Sequence, residues 1–131
     1  MLEKHKFAEF NQKKIFQVNN NLINYLKKKA TESDLNRYRI CLHENEDHKT
    51  QEMLICLTGF NYFKTHKHPV EVSESYHMIE GKINIIFFDD NQNFVEKVSL
   101  GTGKEDNFIY RLSSPYFHLV LPQTETVIYH E

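Results

Sequence analysis

The sequence predicts a mainly β chain, a sandwich or barrel of short strands behind one short helix. Three observations carry that expectation. Apolar residues follow a helical spacing once, near the N-terminus, and a period of two afterwards. A succession of short apolar runs separated by turn residues fills the rest of the chain. No repeat, low-complexity tract or linker breaks the 131 residues, which is about one domain's length.

Val18, Leu22, Ile23 and Leu26 share one stripe of a helix over residues 17–30, and the asparagines at 19–21 can cap its start. Lys27, Lys28 and Lys29 then sit at the negative end of its dipole. Beyond Thr31-Glu32-Ser33-Asp34 the period changes. Tyr38, Ile40 and Leu42 alternate with Arg37, Arg39, Cys41 and His43, which makes a half-buried strand with one polar face. Residues 44–51 are polar and read as a loop. Runs at 52–58, 60–66, 74–80, 82–89, 94–100, 107–112, 116–121 and 125–130 read as strands. Asp89-Asp90-Asn91-Gln92-Asn93 is a hairpin turn, Gly81 separates two strands, and Gly101-Thr102-Gly103 opens another bend. The expected division is an N-terminal helical extension at 1–33 and a β-barrel domain at 34–131.

Composition narrows the function. Hydrophobic residues make up 40% and charged residues 26%, the balance of a globular chain. The longest apolar runs, Met53–Leu57 and Ile85–Phe88, fall far short of the ~20 residues of a membrane helix, so no membrane insertion is expected. The charged start, MLEKHKF, lacks the apolar core of a secretory signal. Cys41 and Cys56 cannot build a disulfide framework, and the two observations together point to the cytoplasm. A net charge of −2 argues against a nucleic-acid partner. The charge is uneven, +5 over residues 1–31 and −7 over the rest, and reads as a solvated basic helix because no aromatic residues interleave with its lysines. Eight histidines are an excess, and with thirteen lysines the three arginines mark positions that need a planar, always-charged fork.

His66-Lys67-His68 ends a strand-like run. Residues i and i+2 of a strand point to one face, so two imidazoles there can converge on a metal ion. Glu74 follows, and His118 arrives from a distant strand; together they offer three nitrogens and a carboxylate. Glu71 rivals Glu74 for the carboxylate place, and His77 falls on the opposite strand face.

The run from Gly59 through His66-Lys67-His68, then Glu74 and Gly81, resembles the first cupin motif. Ser113-Ser114-Pro115-Tyr116-Phe117-His118 resembles the second, with Pro115 where a glycine usually stands. More specifically, the chain resembles the WbuC-type cupin-fold metalloproteins, small bacterial proteins associated with polysaccharide biosynthesis. That likeness runs from about Ala30 to Glu131. It rests on Arg37-Tyr38-Arg39 with His43, on Gln51-Glu52-Met53-Leu54-Ile55, His66-Lys67-His68-Pro69, Glu74, Ile79-Glu80-Gly81, Phe87-Phe88-Asp89-Asp90 and Tyr129-His130-Glu131. It implies a single cupin (double-stranded β-helix, jelly-roll) barrel and one divalent transition metal ion (Zn, Fe, Ni, Mn or Co) held by His66, His68, Glu74 and His118. By analogy with small cupins it also implies a homodimer.

Around such a metal, Arg37 and Arg39 are the residues expected to bind a substrate carboxylate or phosphate. His43 is the candidate proton carrier. Of the strand tyrosines, Tyr76 is the candidate acid or orienting group. Cys41 reads as a small strand residue. The expected ligand is a small anionic or sugar-like molecule. Two functions follow from different classes: a metal-dependent enzyme that moves a proton on a sugar or sugar nucleotide, or a binding module that holds such a molecule without turnover.

Overall fold

The structure, a computed structural model, describes residues 2–4, 7–62 and 73–131. Its strands are β1 (Leu2–Lys4), β2 (Ala8–Asn11), β3 (Arg37–Cys41), β4 (Met53–Leu57), β5 (Glu74–Glu80), β6 (Lys82–Phe88), β7 (Phe94–Gly101), β8 (Ile109–Leu112), β9 (Phe117–Pro122) and β10 (Val127–His130), with one helix, α1 (Asn20–Glu32). A seven-stranded sheet in the order β1-β2-β3-β4-β10-β5-β8 faces a three-stranded sheet in the order β7-β6-β9. The mainly β expectation holds. The architecture is a jelly-roll barrel with a short helix.

Alternation along each strand builds the two faces. In β5 the residues Glu74, Tyr76 and Met78 are buried, while Ser75, His77 and Ile79 are exposed. In β6 it is Ile83, Ile85 and Phe87 that turn inward. With Ile55, Leu57, Leu100, Val120, Val127 and Tyr129 they form the core between the sheets. Each fully buried aliphatic or aromatic side chain there contributes about 1.5–3 kcal/mol by leaving water.

The helix covers the outer face of the large sheet. Leu26 and Ala30 pack on Tyr38, Ile40, Leu54, Cys56 and Ile128. Asn19 caps it, its side chain accepting from the Leu22 N–H at 3.0 Å. β3 is therefore apolar toward the helix through Tyr38 and Ile40, and turns Arg37, Arg39 and Cys41 to the other face. Residues 1–33 hold more than the expected helical extension. β2 pairs in parallel with β3, with Ala8 opposite Arg39 and Phe10 opposite Cys41, and α1 is the crossover between them. The expected strand at 60–66 does not begin among its described residues: Gly59 and Phe60 both have positive φ and turn the chain there.

Candidate functional site

Glu74 opens β5 in the large sheet and His118 lies near the start of β9 in the small one. The barrel brings them together. His118 Nε2 stands 3.2 Å from Glu74 Oε1, and both side chains are almost completely removed from solvent. Antiparallel pairing with β6 sets His118 opposite Phe87, whose ring lies 6.1 Å away. Its Nδ1 is 3.4 Å from the Tyr116 carbonyl oxygen, which leaves Nε2 as the nitrogen aimed at Glu74. The Tyr110 hydroxyl donates to Glu74 Oε1 at 2.6 Å.

Glu131 joins the same interior layer. β10 places Val127 and Tyr129 on the core face, and the alternation carries on to Glu131. Its backbone N–H donates to the Met53 carbonyl and its carbonyl accepts from the Met53 N–H, each at 2.9 Å. Its carboxyl donates to Glu74 and accepts from the Tyr76 hydroxyl. Burial first, and then the neighbouring Glu74, push the Glu131 carboxyl up to about 8, while the Tyr76 hydroxyl and the Arg39 charge pull the other way.

The remaining expected site residues divide by position. Tyr76 lies at the centre, its ring 4.7 Å from Tyr129, 5.1 Å from Tyr110 and 6.5 Å from His118. Burial raises its phenol well above the ordinary value, so it serves as a neutral hydrogen-bond donor. Arg39 is exposed, yet its charge reaches Glu131. Arg37 is one step further along the face, its guanidinium 5.7 Å from the Phe7 ring centre. Burial, then the Arg39 charge, lower its pKa. His43 is buried beside Phe10, rings 5.5 Å apart. Its Nδ1 faces the Glu52 backbone, 2.9 Å from the carbonyl and 3.1 Å from the N–H, so only Nε2 is left for chemistry. Cys41 is buried, and its thiol is pushed up by that burial, away from nucleophilic character. His77 points outward, 6.0 Å from Phe108. His66, His68 and the rival Glu71 lie outside the described residues.

A family model for a domain of unknown function, DUF6016, matches residues 18–100. The chain belongs to the DUF6016 family. No curated protein matches it. Among solved structures, the DUF6016 chain is similar to a Shewanella oneidensis protein at 8% identity and a TM-score of 0.62, over 88% of this chain and 76% of that one. It is similar to the cupin domain of Drosophila melanogaster CENP-C at 10% identity and a TM-score of 0.59, over 85% and 91% of the two chains. An HTH_3-family transcriptional regulator from Vibrio cholerae matches at 21% identity and a TM-score of 0.57, over 85% of this chain. The chain spans 58% of that regulator's length. Likenesses at these identities establish the fold: the DUF6016 chain is a cupin-like barrel.

The DUF6016 residues that can be placed fit a divalent metal in their donor chemistry. An imidazole nitrogen and a carboxylate oxygen from opposite sheets meet in a buried layer, the mixed N and O set that first-row transition ions accept. The imidazole's second nitrogen faces a backbone carbonyl, the usual orienting contact of a metal-bound histidine. Among the described residues no group of three His, Cys, Asp or Glu side chains is arranged to hold an ion. No described helix is long and apolar enough to cross a membrane.

The expected site list omitted Glu131. The signal for it was the period of two in residues 127–131, which places that acid on the same face as Val127 and Tyr129.

Proposed function

We propose that this protein is a small cupin metalloprotein that binds one divalent transition ion through His66, His68, Glu74 and His118. The observation that carries the reading is the buried meeting of Glu74 and His118 across the two sheets, an imidazole nitrogen and a carboxylate oxygen 3.2 Å apart, the mixed donor set that a first-row transition ion accepts. A bound ion would act as a Lewis acid on a carbonyl or hydroxyl oxygen. The chain's own residues bind and orient the ligand: Arg39, with Arg37 behind it, offers a bidentate fork to an anionic group. His43 Nε2 is the nitrogen left to move a proton, and Tyr76 donates to the Glu131 carboxyl. The resemblance to WbuC-type cupins supports a sugar or sugar-nucleotide-like molecule of surface-polysaccharide synthesis as the ligand, and proton-transfer or isomerase-type chemistry as the reaction.

A second reading, a metal-dependent binding module without turnover, is favoured by one observation. Tyr76 is fully buried with its phenol pushed well above 10, which suits it to hold a neighbour rather than to give up a proton. Elemental analysis of untagged protein prepared without chelators tests the metal. About one equivalent of a divalent transition metal is expected, retained by wild type and lost in His66→Ala/His68→Ala and in His118→Ala. No uptake of zinc, iron, nickel, manganese or cobalt after reloading overturns the reading.

A further inference from the structure

We propose that the outer face of the small sheet is an interface for a second copy of this chain, two small sheets packing back to back across a two-fold axis. Alternation in β6 turns Asn84, Ile86 and Phe88 away from the barrel core. Their neighbours on that face are Leu121 and Leu119 of β9 and Ser99, Lys97 and Phe94 of β7. Ile86, Phe88, Leu119 and Leu121 are only half-buried there, and Phe94 is 64% exposed. On the large sheet the outward apolar residues are covered by α1, the one helix among the described residues, so the small sheet has no such cover among them. The Ser99 hydroxyl donates to the Asn84 side-chain oxygen at 2.7 Å, a match within the face that lowers the cost of removing it from water. Lys97 stands on the edge strand β7, where its long stem can carry the ammonium past the rim to water. Charge decides the occupant. β6 begins with Lys82 and runs into Asp89 and Asp90, so the face is basic at one end and acidic at the other. In two copies related by a two-fold axis across the strands, β6 lies antiparallel to its counterpart, and each Lys82 meets the acidic end of the other copy. Lys82 also pairs with Asp106 at 3.5 Å, and with its side chain 56% exposed it has room for a second carboxylate. Size sets the strength. Three strands about 4.8 Å apart cover roughly 300 Å² of flat sheet, and a standard interface takes about 800 Å² of accessible surface per partner. With its rims this face sits at the small end of interfaces, so the dimer is reversible, with a dissociation constant in the micromolar range.

Sedimentation velocity on the full chain, from micromolar to millimolar concentrations, is the test. Wild type should pass from monomer to dimer across that range. Ile86→Glu and Phe94→Glu each put a carboxylate into the apolar face and should weaken the dimer by roughly 30-fold or more. Phe94 is mostly exposed, so its variant keeps the fold even where Ile86→Glu does not, and circular dichroism checks both. Lys82→Asp and Asp90→Lys should each weaken the dimer about tenfold, because each sets like charges against one another. Mixing these two variants should restore it, since in the mixed dimer every acid at the two ends again meets a lysine. Wild type that stays monomeric at every concentration overturns the proposal and leaves the face to a different occupant. Wild-type affinity in the folded Ile86→Glu and Phe94→Glu variants overturns it too, by placing the contact on another face. Charge variants that bind as wild type does, or that stay weak on mixing, overturn the antiparallel pairing.

Discussion

Glu9 is buried without any exposed surface between β2, α1 and β3, in a segment otherwise rich in lysine. Its Oε1 accepts the hydroxyls of Tyr25 and of Tyr38, the latter at 2.9 Å, so one carboxylate ties the N-terminal strand to the helix and to the barrel. Removing it strands two phenol hydroxyls in an apolar layer. Glu9→Ala should therefore destabilise the fold by roughly 1–3 kcal/mol, measured by urea unfolding. A double-mutant cycle with Tyr38→Phe should show the two changes to be non-additive. A loss of under about 0.5 kcal/mol, the range of ordinary surface changes, would show that the carboxylate carries no such tie. No sequence rule points to Glu9, because an isolated acid among lysines reads as solvated. His118 and Glu74 were legible for the opposite reason: a motif names them by spacing, and alternation in β5 and β9 turns both inward. Glu131 lay between these cases, on the right face by periodicity and inside the resemblance through Tyr129-His130-Glu131, but with no role attached to it.

The elements that alternation alone can define were legible almost to the residue. The runs expected at 74–80, 82–89 and 94–100 are Glu74–Glu80, Lys82–Phe88 and Phe94–Gly101. β1 and β2 escaped because three and four residues are too few to show a period, and their order comes from neighbours: β2 pairs with β3 across a helix. Gly81 was expected to separate two strands and does more than that. It has a φ of +82°, and it passes the chain from the large sheet to the small one. A Cβ there would run into the Thr126 carbonyl and the Thr124 hydroxyl, and the latter also accepts the Lys82 N–H at 3.1 Å. Gly81→Ala should cost about 1–3 kcal/mol for the backbone conformation alone, plus the displaced contact. Gly103→Ala is the comparison, since its φ is not in the left-handed region and only the movable Asp106 side chain stands in the way. Equal losses in the two variants would show that the crossing at Gly81 is not the constrained one.

Across the whole molecule the interior is unusually phenolic. Tyr76, Tyr110 and Tyr129 sit between the sheets, and Tyr25 on the helix and Tyr38 beneath it meet at Glu9. Burial raises all five phenols, and the nearby Glu74, Glu131 or Glu9 carboxyls raise them further; Tyr25 is pushed up to about 12. An unfolded chain releases phenol protons near pH 10, whereas the folded one still holds them there. Above that pH the native state therefore binds more protons than the unfolded state, and stability must fall as pH rises. Below it these groups are protonated in both states and contribute no slope. The phenols should thus contribute their full stability up to about pH 10 and lose it steeply between there and pH 12, by at most about 1.4 kcal/mol per pH unit for each buried phenol. Followed together, tyrosinate absorbance and far-ultraviolet circular dichroism should change in one cooperative step, because the buried phenols ionise only as the barrel opens. Tyr38→Phe takes one of them out of the set, so its alkaline midpoint should move upward relative to the variant's own stability at neutral pH. Gradual ionisation of all the tyrosines around pH 10, with the dichroism unchanged, would mean that the phenols reach solvent without unfolding and that the interior layer holding Glu74 and His118 is open to water.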